Sequence, residues 1–251
     1  MKTSLLLKLG VLTTAVLQPV IASTSFGSSS KLMDQASDPI ITPAGYAFTI
    51  WGAITIGSLI YAFYQLRPQK KTSKLYEDIA PYSVVVFAGF SAWLYAASHN
   101  WLLVTIGIFL LMGFCLFKIY SEILQTRSKT KFTWVEQIGT YGTFSLYTGW
   151  TTVAIFANIA SAVKFSGFSD VGTSGIFWQV VVLLLATAAS MLAIRYFKAS
   201  VLYTLTILWA LIAVLVGTLQ HKTVAGILPL IISAAILSII GTFLKYRLAK
   251  N

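Results

Sequence analysis

SLYTGWTTVAIFANIAS (residues 145–161) runs its whole length without a charge. Tyr147, Trp150, Thr151, Ala154, Asn158 and Ser161 recur in it at steps of three and four. That spacing puts them on one face of an α-helix. Val153, Ile155, Phe156 and Ile159 fall on the other sides. A helix that is apolar elsewhere but carries an amide and hydroxyls on one face reads as a membrane span with that face turned to protein. Lipid cannot satisfy an unpaired amide, so exposure to it is costly.

The rest of the chain agrees. Of its 251 residues 57% are hydrophobic and 10% charged, with a mean hydropathy of +0.80. A water-exposed surface needs roughly 25% charged residues, so a soluble domain is excluded. Further apolar runs of about crossing length occupy about 45–66, 80–98, 101–120, 176–195, 199–219 and 223–244, and the quoted stretch extends over 142–163. An eighth run, LLLKLGVLTTAVLQPVIAS (5–23), contains Lys8 and Pro19. It reads either as a secretory signal with a poor cleavage site after VIA, or as a retained helix whose Lys8 snorkels; its length favours retention. The expected fold is therefore all-α: a polytopic transmembrane bundle of eight helices, or seven if the first is cleaved.

The net charge of +11 reflects loop topology rather than nucleic acid. Counting Lys and Arg in alternate loops gives fifteen on one side and three on the other (Lys31, Lys164 and Lys222). This bias places the basic loops, including RPQKKTSKLYED and SEILQTRSKTKF, and the C-terminus in the cytoplasm. The 24–44 loop, rich in Ser and Gly, is then extracytoplasmic, as a flexible cover or a plain connector.

No Asp or Glu falls inside these runs, and no Lys or Arg near the middle of one. That disfavours an ion-coupled pump and a retinal protein, which needs a deep lysine for its Schiff base. No nucleophile, base and orienting group occur together, so an enzyme is not expected. Two histidines without a cysteine or carboxylate cluster argue against a metal site. Cys115, in an apolar run, reads as packing.

Aromatic and amide chemistry remains. Trp101 and Trp178 lie at span ends and fit an interfacial belt, and Trp134 lies in a basic loop that also reaches the interface. Trp51, Trp93, Trp150 and Trp209 lie deeper. Trp51 falls roughly 9 Å, and Trp93 and Asn158 roughly 7 Å, below the outer ends of their spans at 1.5 Å per residue. Asn158 alone reads equally well as a bond between helices, but close helix contact favours small side chains and does not account for the rings. In ITPAGYAFTIWG (41–52), Pro43 suits a first helical turn with Thr42 as N-cap. Gly45 permits close approach, and Thr49, Ala53 and Gly57 form a small-residue stripe. Tyr46, Phe48 and Trp51 carry the bulk.

TPAGYAFTIWG followed by AFYQ, then SAWLYAASHNW, then SLYTGWTTVAIFANIAS resemble the tryptophan-rich sensory protein family (TspO/MBR, translocator-protein-like), in particular its longer bacterial branch of about 250 residues. The first and third stretches are the more specific. The resemblance implies a five-helix core, here followed by three more helices, with a hydrophobic cavity that binds tetrapyrroles such as protoporphyrin, or sterols in eukaryotic members, under the loop between its first two helices. On that division 1–23 is the first helix or signal, 24–44 the outer loop, 45–163 core helices two to five, and 164–251 the additional helices and basic tail. Carried over by motif, the ligand-binding residues are Pro43, Ala44, Gly45, Tyr46, Phe48 and Trp51; Trp93, Asn100 and Trp101; and Tyr147, Trp150, Ala154 and Asn158. The resemblance implies no required cofactor. Expected partners are the bilayer, a hydrophobic small molecule and, for a homodimer, a second copy. The role it suggests is sensory or transport-regulatory; a carrier for a small apolar solute and a ligand-free membrane scaffold remain alternatives.

Overall fold

The computed structural model describes residues 5–28, 38–67, 71–221 and 225–249. Part of the expected outer loop (29–37), and Lys2, Lys31, Lys70, Lys222 and Lys250, lie outside the described residues. The elements are helical: α1 (Leu5–Ser28), a 3-10 turn (Gly45–Thr49), α2 (Ile50–Tyr64), α3 (Ser73–Ser98), α4 (Leu102–Lys129), a π-helical turn (Glu136–Gly142), α5 (Thr143–Phe165), α6 (Gly172–Tyr196), α7 (Val201–Gln220) and α8 (Leu228–Leu248). Among the described residues eight helical segments are long and apolar enough to cross a membrane. The polytopic all-α bundle read from hydropathy is thus the observed fold.

Several helix ends extend beyond the apolar runs, those of α3 and α4 furthest. α3 starts at Ser73, with Lys74 and Asp78 paired at 2.8 Å across one turn, and α4 continues to Lys129. Hydropathy marks where lipid ends, whereas backbone hydrogen bonds carry a helix on into the headgroups and water.

The collar departs from its sequence reading. Pro43 and Ala44 lie outside any helix, the 3-10 turn takes Gly45–Thr49, and α2 begins only at Ile50. The cause is a partner far along the chain: the Ala44 N–H donates to the carbonyl of Ala213 at 2.9 Å. Of the expected small-residue stripe, Thr49 and Ala53 are exposed, and Gly57 alone is buried.

Two compact units divide the chain. One comprises Met1–Leu32 and Thr49–Thr148, the other Met33–Phe48 and Gly149–Asn251. The boundary falls within the continuous helix α5, whose hydrogen bonding is local and takes no account of which neighbours each half packs against.

In the first unit α3 packs against α1 and α4, α1 against α2, and the π turn against α2 and α4. Close approach is set by glycines. A Cβ on Gly57 would lie 2.1 Å from Thr143 Oγ1, and one on Gly139 2.6 Å from Ile60. At one end a buried carboxylate joins two turns. Glu136 accepts from the Thr72 hydroxyl at 2.6 Å and from the Thr133 N–H at 2.7 Å. The Glu136 N–H in turn donates to Thr133 Oγ1 at 3.3 Å. This is a capping box, in which cap and third residue satisfy each other's orphan amides, and Thr72 ties the α2–α3 turn to it.

In the second unit α8 packs against α6 and α7. Its core includes Ile40 and Ile41 together with Leu183, Val214, Leu228 and Ile232. Ile40 and Ile41, which lead into the collar, are therefore part of this core. Non-helical backbone in an apolar bundle must be satisfied by protein, and here it is. The Ile41 N–H donates to Gln179 Oε1 at 3.2 Å, and Thr218 Oγ1 donates to the Ile40 carbonyl at 3.2 Å. Gly217 lets the strands of backbone meet, since a Cβ there would lie 2.2 Å from the Thr42 carbonyl oxygen.

Candidate functional site

The first unit gathers rings from four helices. Trp51 of α2 stacks on Trp93 of α3 with centroids 5.6 Å apart and planes 28° apart. It meets Tyr147 of α5 edge-on at 5.5 Å and Phe90 at 4.6 Å. Trp93 meets Phe109 of α4 edge-on at 5.3 Å. Trp51 is 4% and Trp93 9% exposed, and Tyr147 is fully buried. The contacts continue through Phe87 to Phe144 and Tyr61, whose hydroxyl pairs with Ser83 at 3.0 Å. Offset stacks and edge contacts are the preferred aromatic geometries.

α1 contributes one polar group to this cluster. Tyr147 donates its hydroxyl proton to Gln18 Oε1 at 3.4 Å. Gln18 is fully buried, and its Nε2 has no hydrogen-bond partner among the described residues. A buried amide donor without an acceptor costs about 1–3 kcal/mol.

Other expected residues sit in the second unit. Phe48 meets Trp150 edge-on at 5.9 Å, and Tyr46 meets Trp209 edge-on at 5.3 Å. The Trp209 indole N–H donates to the Ala47 carbonyl at 3.2 Å. Pro43, Ala44 and Gly45 form the backbone that α7 holds, and Ala44 is buried. Ala154 is buried on α5, and its carbonyl accepts from Asn158 Nδ2 at 2.8 Å, so Asn158 bonds within its own helix.

Asn100 and Trp101 are exposed, at the α3–α4 turn of the first unit. Asn100 has φ +56°; its N–H donates to Ala97 O, and that of Trp101 to Ala96 O. This pair of bonds ends α3 in a Schellman motif, where a left-handed residue is required and Asn tolerates it. Trp101 meets Tyr95 and His99 at 5.8 and 5.3 Å.

A family model described as TSPO-like protein matches residues 4–245. The chain belongs to this family. No curated protein and no solved structure matches it.

In this TSPO-like protein the resemblance read from three motifs thus extends over nearly the whole chain, the last three helices included. The sequence reading passed over Gln18, Phe90 and Phe109 in the ring cluster, and Gln179, Ala213 and Gly217 under the collar. Gln18 had a usable signal: it is the one amide in the first apolar run. The others are ordinary residues whose importance depends on what they touch.

Proposed function

We propose that this protein binds a flat apolar ligand of the tetrapyrrole class at the Trp51–Trp93–Tyr147 cluster, and that binding serves a sensory or transport-regulatory role rather than catalysis. The observation that supports this most is the fully buried Gln18 amide, whose Oε1 accepts from the Tyr147 hydroxyl and whose Nε2 has no partner among the described residues. Membrane helices associate through small residues and satisfied polar pairs, and this cluster has large rings and an unsatisfied donor. A porphyrin would supply the missing acceptor and a π-face for the indoles. Because the rings touch one another, ligand entry requires Trp51 or Trp93 to turn aside. The fifteen-to-three bias in basic residues further supports a cell-membrane location with the C-terminus in the cytoplasm.

A second reading is a scaffold without ligand, favoured by the same ring contacts at 4.6–5.6 Å, which fill the space by themselves. Tryptophan-fluorescence quenching of the detergent-solubilised protein, titrated with protoporphyrin and a panel of sterols, separates the two. Ligand binding gives saturable quenching by the porphyrin that Gln18→Leu weakens about tenfold, the loss of one buried hydrogen bond. Linear, unsaturable quenching with both proteins supports the scaffold.

A further inference from the structure

The turn between α4 and α5 reads RSKTKFTW (127–134). Arg127, Lys129 and Lys131 are exposed, and Trp134 is 76% exposed. Arg127 is held in place: its guanidinium carbon lies 4.1 Å from the Tyr141 ring centroid, and its Nε donates to Gln137 Oε1 at 3.2 Å. The ring contact and the Nε bond hold the group in position. Neither Nη has a partner among the described residues. A planar guanidinium with both Nη free is preorganised for two oxygens of a phosphate.

The position suits a membrane surface. α4 has 28 residues, about 42 Å at 1.5 Å each, against a hydrocarbon core of about 30 Å. Trp101 at the other end of α4 is half exposed, as an interfacial anchor is. Counting from there, Arg127 and Lys129 fall in the headgroup layer beyond the core.

Neutralising the negative C-terminus of α4 accounts for Arg127 and Lys129, which lie in its last turn. It does not account for Lys131 or Trp134. Lys131 sits two residues before the capping residue Thr133, at the positive end of the next helix, where a cation is disfavoured. The acid nearest in sequence does not compensate it, since Glu136 is buried and both its oxygens are occupied by Thr72 and Thr133. Glu122 is exposed, more than a helical turn below Arg127. The excess positive charge therefore faces outward.

We propose that this turn is a binding site for the headgroup phosphate of an anionic phospholipid, gripped by the Arg127 fork with Lys129 and Lys131, with Trp134 seated at the level of the headgroups. Native mass spectrometry of the full chain in detergent, titrated with phosphatidylglycerol or phosphatidylcholine, tests it. Wild type retains phosphatidylglycerol in preference, and each of Arg127→Gln, Lys129→Gln and Lys131→Gln weakens that binding about fivefold. Arg127→Lys keeps the charge but loses the fork, and also weakens it. Lys245→Gln with Arg247→Gln leaves it unchanged. Thermal unfolding in phosphatidylcholine, unaltered in the variants, verifies that they fold. Equal retention of the two lipids, or a preference that survives removal of all three charges, overturns the proposal. Displacement of the lipid by millimolar inorganic phosphate overturns it in favour of a free-phosphate site.

Discussion

Gly217→Ala isolates the contact between the collar segment and α7. The added methyl would lie 2.2 Å from the Thr42 carbonyl oxygen and 3.0 Å from the Ala44 nitrogen. Both neighbours are backbone and cannot rotate away, so the segment must lift. Overpacking of this kind costs about 1–3 kcal/mol. Lifting also breaks the 2.9 Å bond from Ala44 to Ala213, at about 1–3 kcal/mol for a buried group left unpaired. Against this, Ala is favoured over Gly in a helix interior by about 1 kcal/mol. The net is a destabilisation of about 1–5 kcal/mol. Gly241→Ala on α8 is the control, because nothing lies within 4 Å of its added methyl, so only the propensity gain remains. Equilibrium unfolding in mixed micelles measures both. Hydrogen exchange at Ile41 and Ala44 reports the lifting directly, as faster exchange in Gly217→Ala. Equal stability of Gly217→Ala and wild type, with protection at Ile41 and Ala44 unchanged, refutes the reasoning.

Glu136→Ala removes the acceptor for both Thr72 and Thr133, and is expected to lower unfolding free energy by about 2–4 kcal/mol. Glu136→Gln, which keeps one acceptor oxygen, recovers part of that in the same denaturation. Lys198 has φ +52° at the end of α6, with its N–H on Arg195 O and that of Ala199 on Ile194 O. Lys198→Gly relieves this left-handed backbone and raises stability by about 1 kcal/mol, seen as a higher melting temperature. Gly57→Ala drives a methyl to 2.1 Å from Thr143 Oγ1 and 3.1 Å from its Cβ. A lowered melting temperature, by about 1–3 kcal/mol equivalent, is expected despite the gain in helix propensity.

Hydropathy made the spans legible because lipid imposes a length and composition on every crossing. It could not locate the start of α2. Pro43 and Thr42 have the local chemistry of a helix start, yet Ala44 bonds to Ala213, a partner no local pattern reveals. Depth along each span brought Trp51 and Trp93 to one layer, and they do stack. Helical spacing put Tyr147 and Trp150 on one face, but their ring partners differ, Trp51 for the one and Phe48 for the other. Asn100 looked like a polar site residue, whereas its backbone conformation already explains an asparagine there. Gln18 is visible as the one amide in the first apolar run, but no local pattern interprets it. Its meaning depends on Tyr147, which lies in another helix far along the chain.

Photolabelling with a diazirine-bearing porphyrin, followed by peptide mapping, tests the ligand site most directly. Saturable labels on the peptides that carry Gln18, Trp51, Trp93 and Tyr147, suppressed by excess protoporphyrin, are the predicted result. Labels spread over exposed residues such as Phe177 and Leu230, undiminished by competitor, would contradict it.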